Sequence, residues 1–313
     1  MKQYVIDGSN EGQTLLKFAA KILPDASMGF FHKNLRKKNI DVNKKKCMGK
    51  EILRAGDIVH FWLSDETFEK FSGGKREMTA AQESRAEAFR SWILYEDDHI
   101  ILVNKPAGLL TQGDQSGAPS LNDFLLAYAG ERNGARPSVA NRLDRNTSGI
   151  VACGKTIKGL QALSEALKER TVHKYYRALV WGITEEHGTV STRLAKDERR
   201  NEVRIAEGQE TAKFSESRYQ RIRSWTWDGI NVSEIKVELI TGRSHQIRVH
   251  MASIGHPLLG DRKYGTKESI DFSRTHHIAH QQLHAYQLVF PRTEGVLAPV
   301  SEKVFEVKPP WEV

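Results

Sequence analysis

Three polar segments in this chain hold the residue types that chemistry requires. The first, NRLDRNTSGI (141–150), sets one carboxylate, Asp144, between Arg142 and Arg145 and follows it with Thr147, Ser148, Gly149 and the apolar run Ile150, Val151, Ala152. A cation beside a carboxylate favours its charged form. Such a group is a poor general acid but a usable anion, as nucleophile or as electrostatic partner. The apolar run predicts that the acid sits at a strand end, beside a loop. On ten residues alone, a turn-forming or ion-paired surface aspartate is the commoner reading.

The second segment, HKYYRALVWG (173–182), alternates so that Tyr176, Ala178 and Val180 share one strand face. Buried tyrosines are mostly packing residues with a satisfied hydroxyl. The third, ELITGRSHQIRVHMASIGHPLLGDRKYG (238–265), is the densest polar run in the chain. A turn at Gly242 precedes Arg243, His245, Gln246, Arg248 and His250 on one short helix. A helix this polar is either a solvated surface or an anion site, since its N-terminus and its arginines both favour negative charge.

Together the three segments resemble the RluA-type family of ribosomal large-subunit pseudouridine synthases. NRLDRNTSGI is similar to the family's Arg-Leu-Asp-x-x-Thr-Ser-Gly motif, KYYRALVWG to its second motif and TGRSHQIRVH to its third. NKPAG (104–108), GHPLLGDRKYG (255–265) and LHA (283–285) also resemble family signatures, and the likeness spans roughly residues 92–295. It implies that Asp144 is the catalytic aspartate. It implies that Tyr176, rather than Tyr175, stacks on the uracil and is a candidate to take its carbon-5 proton, and that Arg248 is the basic residue paired with the aspartate. Arg243 is the competing partner. The implied reaction cuts uridine at its carbon–nitrogen glycosidic bond, rotates the base and rejoins it through carbon 5. The implied substrate is structured RNA, large-subunit ribosomal RNA ahead of transfer RNA, and no cofactor or metal is implied. The target must leave its stack, at roughly a few kcal/mol. Arg142 is implied to fill the space the base vacates, the alternative being a surface arginine paired with Asp144. Asn141 departs from the histidine that many members carry there.

The elements that would position these residues are legible as alternating and periodic stretches. HIILVNKP (99–106) predicts a buried strand stopped by Pro106. TIKGLQALSEALKER (156–170) predicts a helix with Ile157, Leu160, Leu163 and Leu167 on one face. KYYRALVWG, SEIKVELI and LHAYQLVF predict strands, and SHQIRVHMASIG a short helix stopped by Gly255. The elements do not alternate as a parallel sheet requires. The expected fold is therefore α+β, a mixed and mainly antiparallel sheet flanked by helices and loops, with a small α+β unit before it.

That first unit is expected at residues 1–64. Helices are predicted over TLLKFAAKIL (14–23) and MGFFHKNLRKKNIDVN (28–43), ending near Asn39, with short strands at IDVNKKK and DIVHFWL. Residues 33–54 carry nine Lys and Arg, among them Lys33, Arg36, Lys37, Lys44 and Lys45, against Asp41 and Glu51. Charge runs are commonly solvated faces, yet a one-signed patch can also meet RNA phosphates. The order of elements, with ILRAGDIVHFWL closing it, resembles the alpha-L RNA-binding module named after small-subunit ribosomal protein four. The resemblance implies RNA contacts from Lys33, Arg36, Lys37, Lys44 and Lys45, beside Arg142 and Arg243 in the main domain. The polar stretch 65–90, with Ser72-Gly73-Gly74, is expected to be a linker with some helix in it. The catalytic domain is expected at 91–313.

Composition sets the outer limits. Lys plus Arg number 47 against 39 Asp plus Glu, a net charge of +8 that favours polyanion partners. Hydrophobic residues at 39% suffice for packed cores and exclude a disordered chain. Cys47 and Cys153 follow no metal spacing and predict reduced thiols in a cytoplasmic protein. No apolar run approaches the ~18 residues of a membrane span, and a monomer is expected. One rival reading is a zinc hydrolase using His276, His280 and His284 of THHIAHQQLH, aligned by fours on a helix. Another is an RNA-binding or ribosome-assembly factor without catalysis, which the Asp144–Tyr176–Arg248 set argues against.

Overall fold

The computed structural model describes residues 1–8, 10–72, 79–130, 136–197 and 201–311. The chain separates into two units, one built mainly from Met1–Ser84 and the other from Arg85–Ala129 and Pro137–Val313.

The first unit runs β1 (Lys2–Val5), α1 (Leu15–Ile22), α2 (Met28–Arg36), β2 (Ile40–Val42), β3 (Lys45–Lys46), β4 (Ile58–Phe61) and α3 (Asp65–Phe71). Its four strands pair antiparallel in the order β1-β4-β2-β3. Thr14, Ser27 and Ser64 cap the three helices by accepting a backbone N–H from their first turns. Leu15, Phe18, Ile22, Phe31, Leu35, Ile40, Val59 and Phe61 form the core. The basic side chains expected to meet RNA, Lys33, Arg36, Lys37, Lys44 and Lys45, are all exposed.

The polar stretch expected as a linker is more ordered than its composition suggests. Phe68 of α3 is buried in the first unit, and Phe71 packs on Phe30 with ring centroids 4.4 Å apart. α4 (Ala80–Ser91) buries Phe89 in the core of the second unit. Single aromatic residues thus anchor both helices, and an average over polar neighbours hides them. Gly73 and Gly74 lie outside the described residues.

The second unit continues with β5 (Ile93–Glu96), β6 (Ile100–Lys105), α5 (Leu121–Ala129), β7 (Ser138–Val139), β8 (Ser148–Gly154), α6 (Ile157–Lys168), β9 (His173–Trp181), β10 (His187–Asp197), β11 (Glu202–Ile205), β12 (Lys213–Trp227) and β13 (Ile230–Leu239). α7 (Gln246–Ser253), α8 (Lys267–Thr275), β14 (Leu283–Val289), a 3-10 helix at Gly295–Val300 and β15 (Val304–Glu306) complete it. One sheet holds all these strands, in the order β11-β10-β12-β13-β9-β14-β8-β6-β5, with β15 on β14 and β7 on β8. Every pair is antiparallel except β14 with β8. This is the mixed, mainly antiparallel α+β domain that the sequence predicts.

The middle of the sheet has both faces covered. Ile101, Val103, Val151 and Cys153 enter one core, while Ile100, Leu102, Ile150 and Ala152 enter another beneath α6 and the 3-10 helix. Alternation along β6 and β8 sends neighbours to opposite faces, so both strands read as continuous apolar runs. Tyr176, Ile247, Leu143 and Leu283 belong to the first of these cores.

Candidate active site

Asp144 lies in the loop between β7 and β8, and the residues after it fix that loop. Thr147 donates its backbone N–H to the Asp144 carbonyl at 3.0 Å, closing a turn. Gln281 reaches the Thr147 hydroxyl at 3.3 Å, and the Ser148 hydroxyl lies 2.8 Å from His284 Nδ1. Gly149 has φ of +113°, and a Cβ there would lie 2.2 Å from the Ala285 carbonyl oxygen. Only glycine fits this approach of β14 to β8. The Thr-Ser-Gly run therefore joins the acid's loop to a strand from the far end of the chain.

Neither flanking arginine pairs with the acid. Arg145 donates Nε to the Gly108 carbonyl at 3.1 Å. Arg142 is exposed, and among the described residues its side chain has no hydrogen-bonding partner. Arg243 also points elsewhere, donating Nε to the Phe214 carbonyl at 3.2 Å. The cation that meets Asp144 comes from α7: Arg248 Nη1 lies 3.1 Å from Asp144 Oδ2.

Arg248 has a second and closer carboxylate that the sequence reading did not single out. Its Nε and Nη2 bind Asp261 Oδ2 and Oδ1 at 2.7 and 2.9 Å, a fork on a carboxylate. Asp261 Oδ1 also accepts the backbone N–H groups of Lys263 and Tyr264 at 3.0 and 3.2 Å. Asp261 has 1% of its side chain exposed, Arg248 10% and Asp144 24%. Asp261 is thus the hidden anchor and Asp144 the carboxylate that reaches solvent. Burial alone would lower the Arg248 guanidinium, but Asp261 and then Asp144 outweigh it and raise it above its ordinary value. The Tyr264 ring lies under the guanidinium at 5.0 Å.

Lys105, in NKPAG, was also passed over. It is fully buried, and its Nζ donates to the carbonyls of Pro106, Leu109 and Arg145 at 2.9, 2.8 and 3.1 Å. Burial pulls this amine down to about 7, against the charge of Asp144. Three acceptors at these distances call for three N–H donors, so the ammonium is the form that fits. It ties the loop at 106–109 to the loop at 145, next to the acid.

α7 is polar yet buried, which neither sequence alternative anticipates. Gln246 accepts from the Thr241 hydroxyl and Arg243 N–H at 2.7 and 3.0 Å and donates to the Glu216 carbonyl at 2.9 Å. His250 lies 3.0 Å from Ser217 Oγ through Nδ1 and 2.9 Å from Ser215 Oγ through Nε2. Its burial pulls it down to about 4, so it is neutral. These bonds fasten α7 to β12 and aim Arg248 at Asp144. His245, just before the helix, holds a left-handed φ of +51° and lies 2.7 Å from the Tyr264 hydroxyl through Nδ1. A non-glycine residue in that region is uncommon and costly.

Two cavities meet at Asp144, of about 530 and 380 Å³. Both are lined by Arg142, Leu143, Asp144, Ser244, His245 and Arg248. The larger adds an apolar floor of Tyr176, Ile247 and Leu283. Burial, and then Asp144, raise the Tyr176 phenol well above its ordinary range, so the ring is neutral. Tyr175 points to the opposite face of β9, with Lys236 4.3 Å above its ring. Asn141, on the cavity wall, accepts the Ala152 N–H at 2.8 Å. The arrangement can hold a flat, uncharged ring on an apolar floor with an anion at its edge.

The histidines of THHIAHQQLH do not form a helical row. α8 ends at Thr275, His276 is its C-cap, and His284 lies within β14. Pairing of β14 with β8 and β9 overrides the four-residue spacing. Among the described residues, no helix is long and apolar enough to cross a membrane.

Residues 99–253 match the family model described as RNA pseudouridylate synthase. The chain is 31% identical over 308 residues to ribosomal large subunit pseudouridine synthase C of Vibrio vulnificus, covering 96% of this chain and 94% of that protein. It is 36% identical over 213 residues to ribosomal large subunit pseudouridine synthase D of Nitrosomonas europaea, covering 66% of this chain and 60% of that protein. A solved structure, human RNA pseudouridylate synthase domain containing 1, superposes with a TM-score of 0.53 at 27% identity, covering 64% of this chain and 78% of that one.

Proposed function

The chain belongs to the RluA-type family of RNA pseudouridine synthases, and from that premise we propose that Asp144 is its catalytic carboxylate, acting on uridines of large-subunit ribosomal RNA. The observation that carries the assignment is the asymmetric pair of carboxylates on Arg248. Asp261 is buried and takes two guanidinium hydrogen bonds, whereas Asp144 takes one and keeps a face toward the cavities. An anion held by a buried cation, beside an apolar floor, suits a reaction in which charge shifts between a sugar and a neutral base.

The remaining roles follow from the cavity. The flipped uracil lies against Tyr176, with Leu143, Ile247 and Leu283 closing the apolar floor. The Tyr176 ring supplies the stacking surface for the uracil. The C1′–N1 bond breaks with Asp144 as the anion at the sugar or the ring. The freed uracil turns, the C1′–C5 bond forms, and loss of the proton from carbon 5, matched by a proton gained at N1, restores the aromatic base. Arg142, unpaired at the mouth, fills the gap left in the RNA.

The exposed basic run of the first unit, including Lys33, Arg36, Lys37, Lys44 and Lys45, supplies sequence-independent RNA affinity, and Arg243 lies at the rim of the larger cavity. The names of the relatives favour large-subunit ribosomal RNA over transfer RNA as substrate. Two buried free thiols, Cys47 and Cys153, favour a reducing compartment such as the cytoplasm, with the protein acting as a monomer.

The test is release of tritium from RNA labelled at uracil carbon 5, transcribed in vitro with the large-subunit ribosomal sequence of the source organism. Wild-type protein should release tritium, and Asp144→Asn should bind the same RNA and release none. Retained turnover in that variant would remove Asp144 from its role.

A further inference from the structure

The larger cavity has a wall that the reaction does not use. α6 ends beside it, and the chain then turns into β9. The turn closes as a left-handed helix cap does, with Thr171 N–H reaching back to the Ala166 carbonyl at 3.0 Å. The residue at the left-handed position is Arg170, with φ of +63°. Glycine normally occupies such a place because a side chain is disfavoured there. Here the chain keeps one of its longest side chains, and that side chain lines the cavity together with Lys168 and Lys174.

These three cations lack partners. Among the described residues, none has a side-chain hydrogen bond or an ion pair. In the second cavity Arg145 is engaged by the Gly108 carbonyl and Lys263 by the Asn201 carbonyl, while Arg142 is shared by both cavities. Lys174 is half-buried, and burial followed by the charge of Arg170 lowers its pKa. An anion placed between them would relieve both effects. Lys174 also shares a face of β9 with Tyr176, two residues and about 7 Å along the strand. A nucleotide whose base lies on Tyr176 would carry its backbone toward that wall.

We propose that Lys168, Arg170 and Lys174 form a phosphate-binding wall that holds the RNA backbone next to the target nucleotide. The role rests on the RNA-modifying function proposed above. The wall sits beyond the reacting atoms and serves the strand on one side of the flipped base, so it contributes placement and affinity.

The test uses full-length protein and in vitro transcribed large-subunit ribosomal RNA, with binding measured across a salt series. Lys168→Gln, Arg170→Gly and Lys174→Gln are compared singly and combined. Lys158→Gln, an exposed site on α6 outside the cavity, controls for loss of charge. Each lost phosphate contact should flatten the slope of log affinity against log salt by about 0.7 for single-stranded RNA, and the combined variant should bind at least about tenfold more weakly at moderate salt. Arg170→Gly separates binding from folding: its melting midpoint should equal or exceed wild type while its RNA affinity falls. Inorganic phosphate at matched ionic strength should not compete. Competition by it would assign the wall to a free anion instead and overturn the proposal. So would a combined variant with the affinity and slope of Lys158→Gln. If wild type bound RNA but released no tritium, the isomerase reading would fail while the binding data still judged the wall.

Discussion

Asp261→Asn tests how the site is held, because it changes one atom in a residue that touches no substrate in the proposed mechanism. Asp261 Oδ1 receives Arg248 Nη2 and two backbone N–H groups, and Oδ2 receives Arg248 Nε at 2.7 Å. An asparagine can keep its oxygen toward the three donors only by turning its amide against Nε. The reverse orientation sets the amide against the backbone donors. Removing one partner of a buried ion pair costs about 3–5 kcal/mol. Arg248 would keep Asp144 at 3.1 Å, so the loss should be smaller, about 2–3 kcal/mol. For a unit of this size that is a drop of about 4–12 °C in melting midpoint. Arg248 would also be free to pivot toward Asp144, and a misplacement of about 1 Å can cost around 10²-fold in rate. Circular dichroism melts give the first quantity and tritium release the second. Wild-type melting together with wild-type turnover would refute the reasoning, since Asp144 alone would then suffice to hold the guanidinium.

Arg248→Lys keeps the charge but cannot span two carboxylates from one planar fork, so turnover should fall by at least about tenfold without vanishing; wild-type rates would show that charge alone matters. His250 and His284 are both held near pKa 4 by burial, below the ~6.5 of an unfolded chain. Their contribution is fully present above pH 6.5 and is lost as pH falls toward 4, because the unfolded chain takes up protons that the folded one refuses. Each should be worth up to about 3 kcal/mol. Melting midpoints should drop steeply across that window, with a shallower drop in His250→Gln; identical profiles for that variant and wild type would contradict the assignment. A fragment beginning at residue 79 keeps α4 with its buried Phe89 and should fold. It should bind RNA more weakly and with a flatter salt dependence than the whole chain. Unchanged binding would reduce the basic run of residues 33–54 to a solvated face.

The three residues proposed for the site are singled out in the sequence by their likeness to family motifs, while their neighbours in the chain tell only where each lies in the fold. Asp144 stands before an apolar strand, Tyr176 falls on the inward phase of an alternating one, and Arg248 lies within a short polar helix. The supports are different in kind. Lys105 reads as the polar end of a strand, and lysine is ordinarily a surface residue. Its importance comes from three carbonyls, one of them 40 positions away at Arg145. Asp261 gains its meaning from Arg248, 13 residues earlier and across a turn. α7 misleads because periodicity registers polarity and is blind to hydrogen-bond partners, so a helix buried with all its polar groups paired looks like a solvated one. The same blindness hides Phe68 and Phe89, each a lone anchor in polar surroundings.

The insertion of β14 beside β8 has a consequence for how the enzyme comes into being. Ser148 and His284, in contact across these strands, are 136 positions apart, and β14 occupies the middle of the sheet rather than its edge. Closing so long a loop is entropically expensive, and pairings of this range slow folding. The N-terminal unit can form early during synthesis. The second unit, by contrast, has no sheet centre until its last strands have been made. A nascent chain would thus possess its basic surface well before it possesses a rigid Asp144 loop. It would stay catalytically silent until β14 has been made and has paired with β8 and β9.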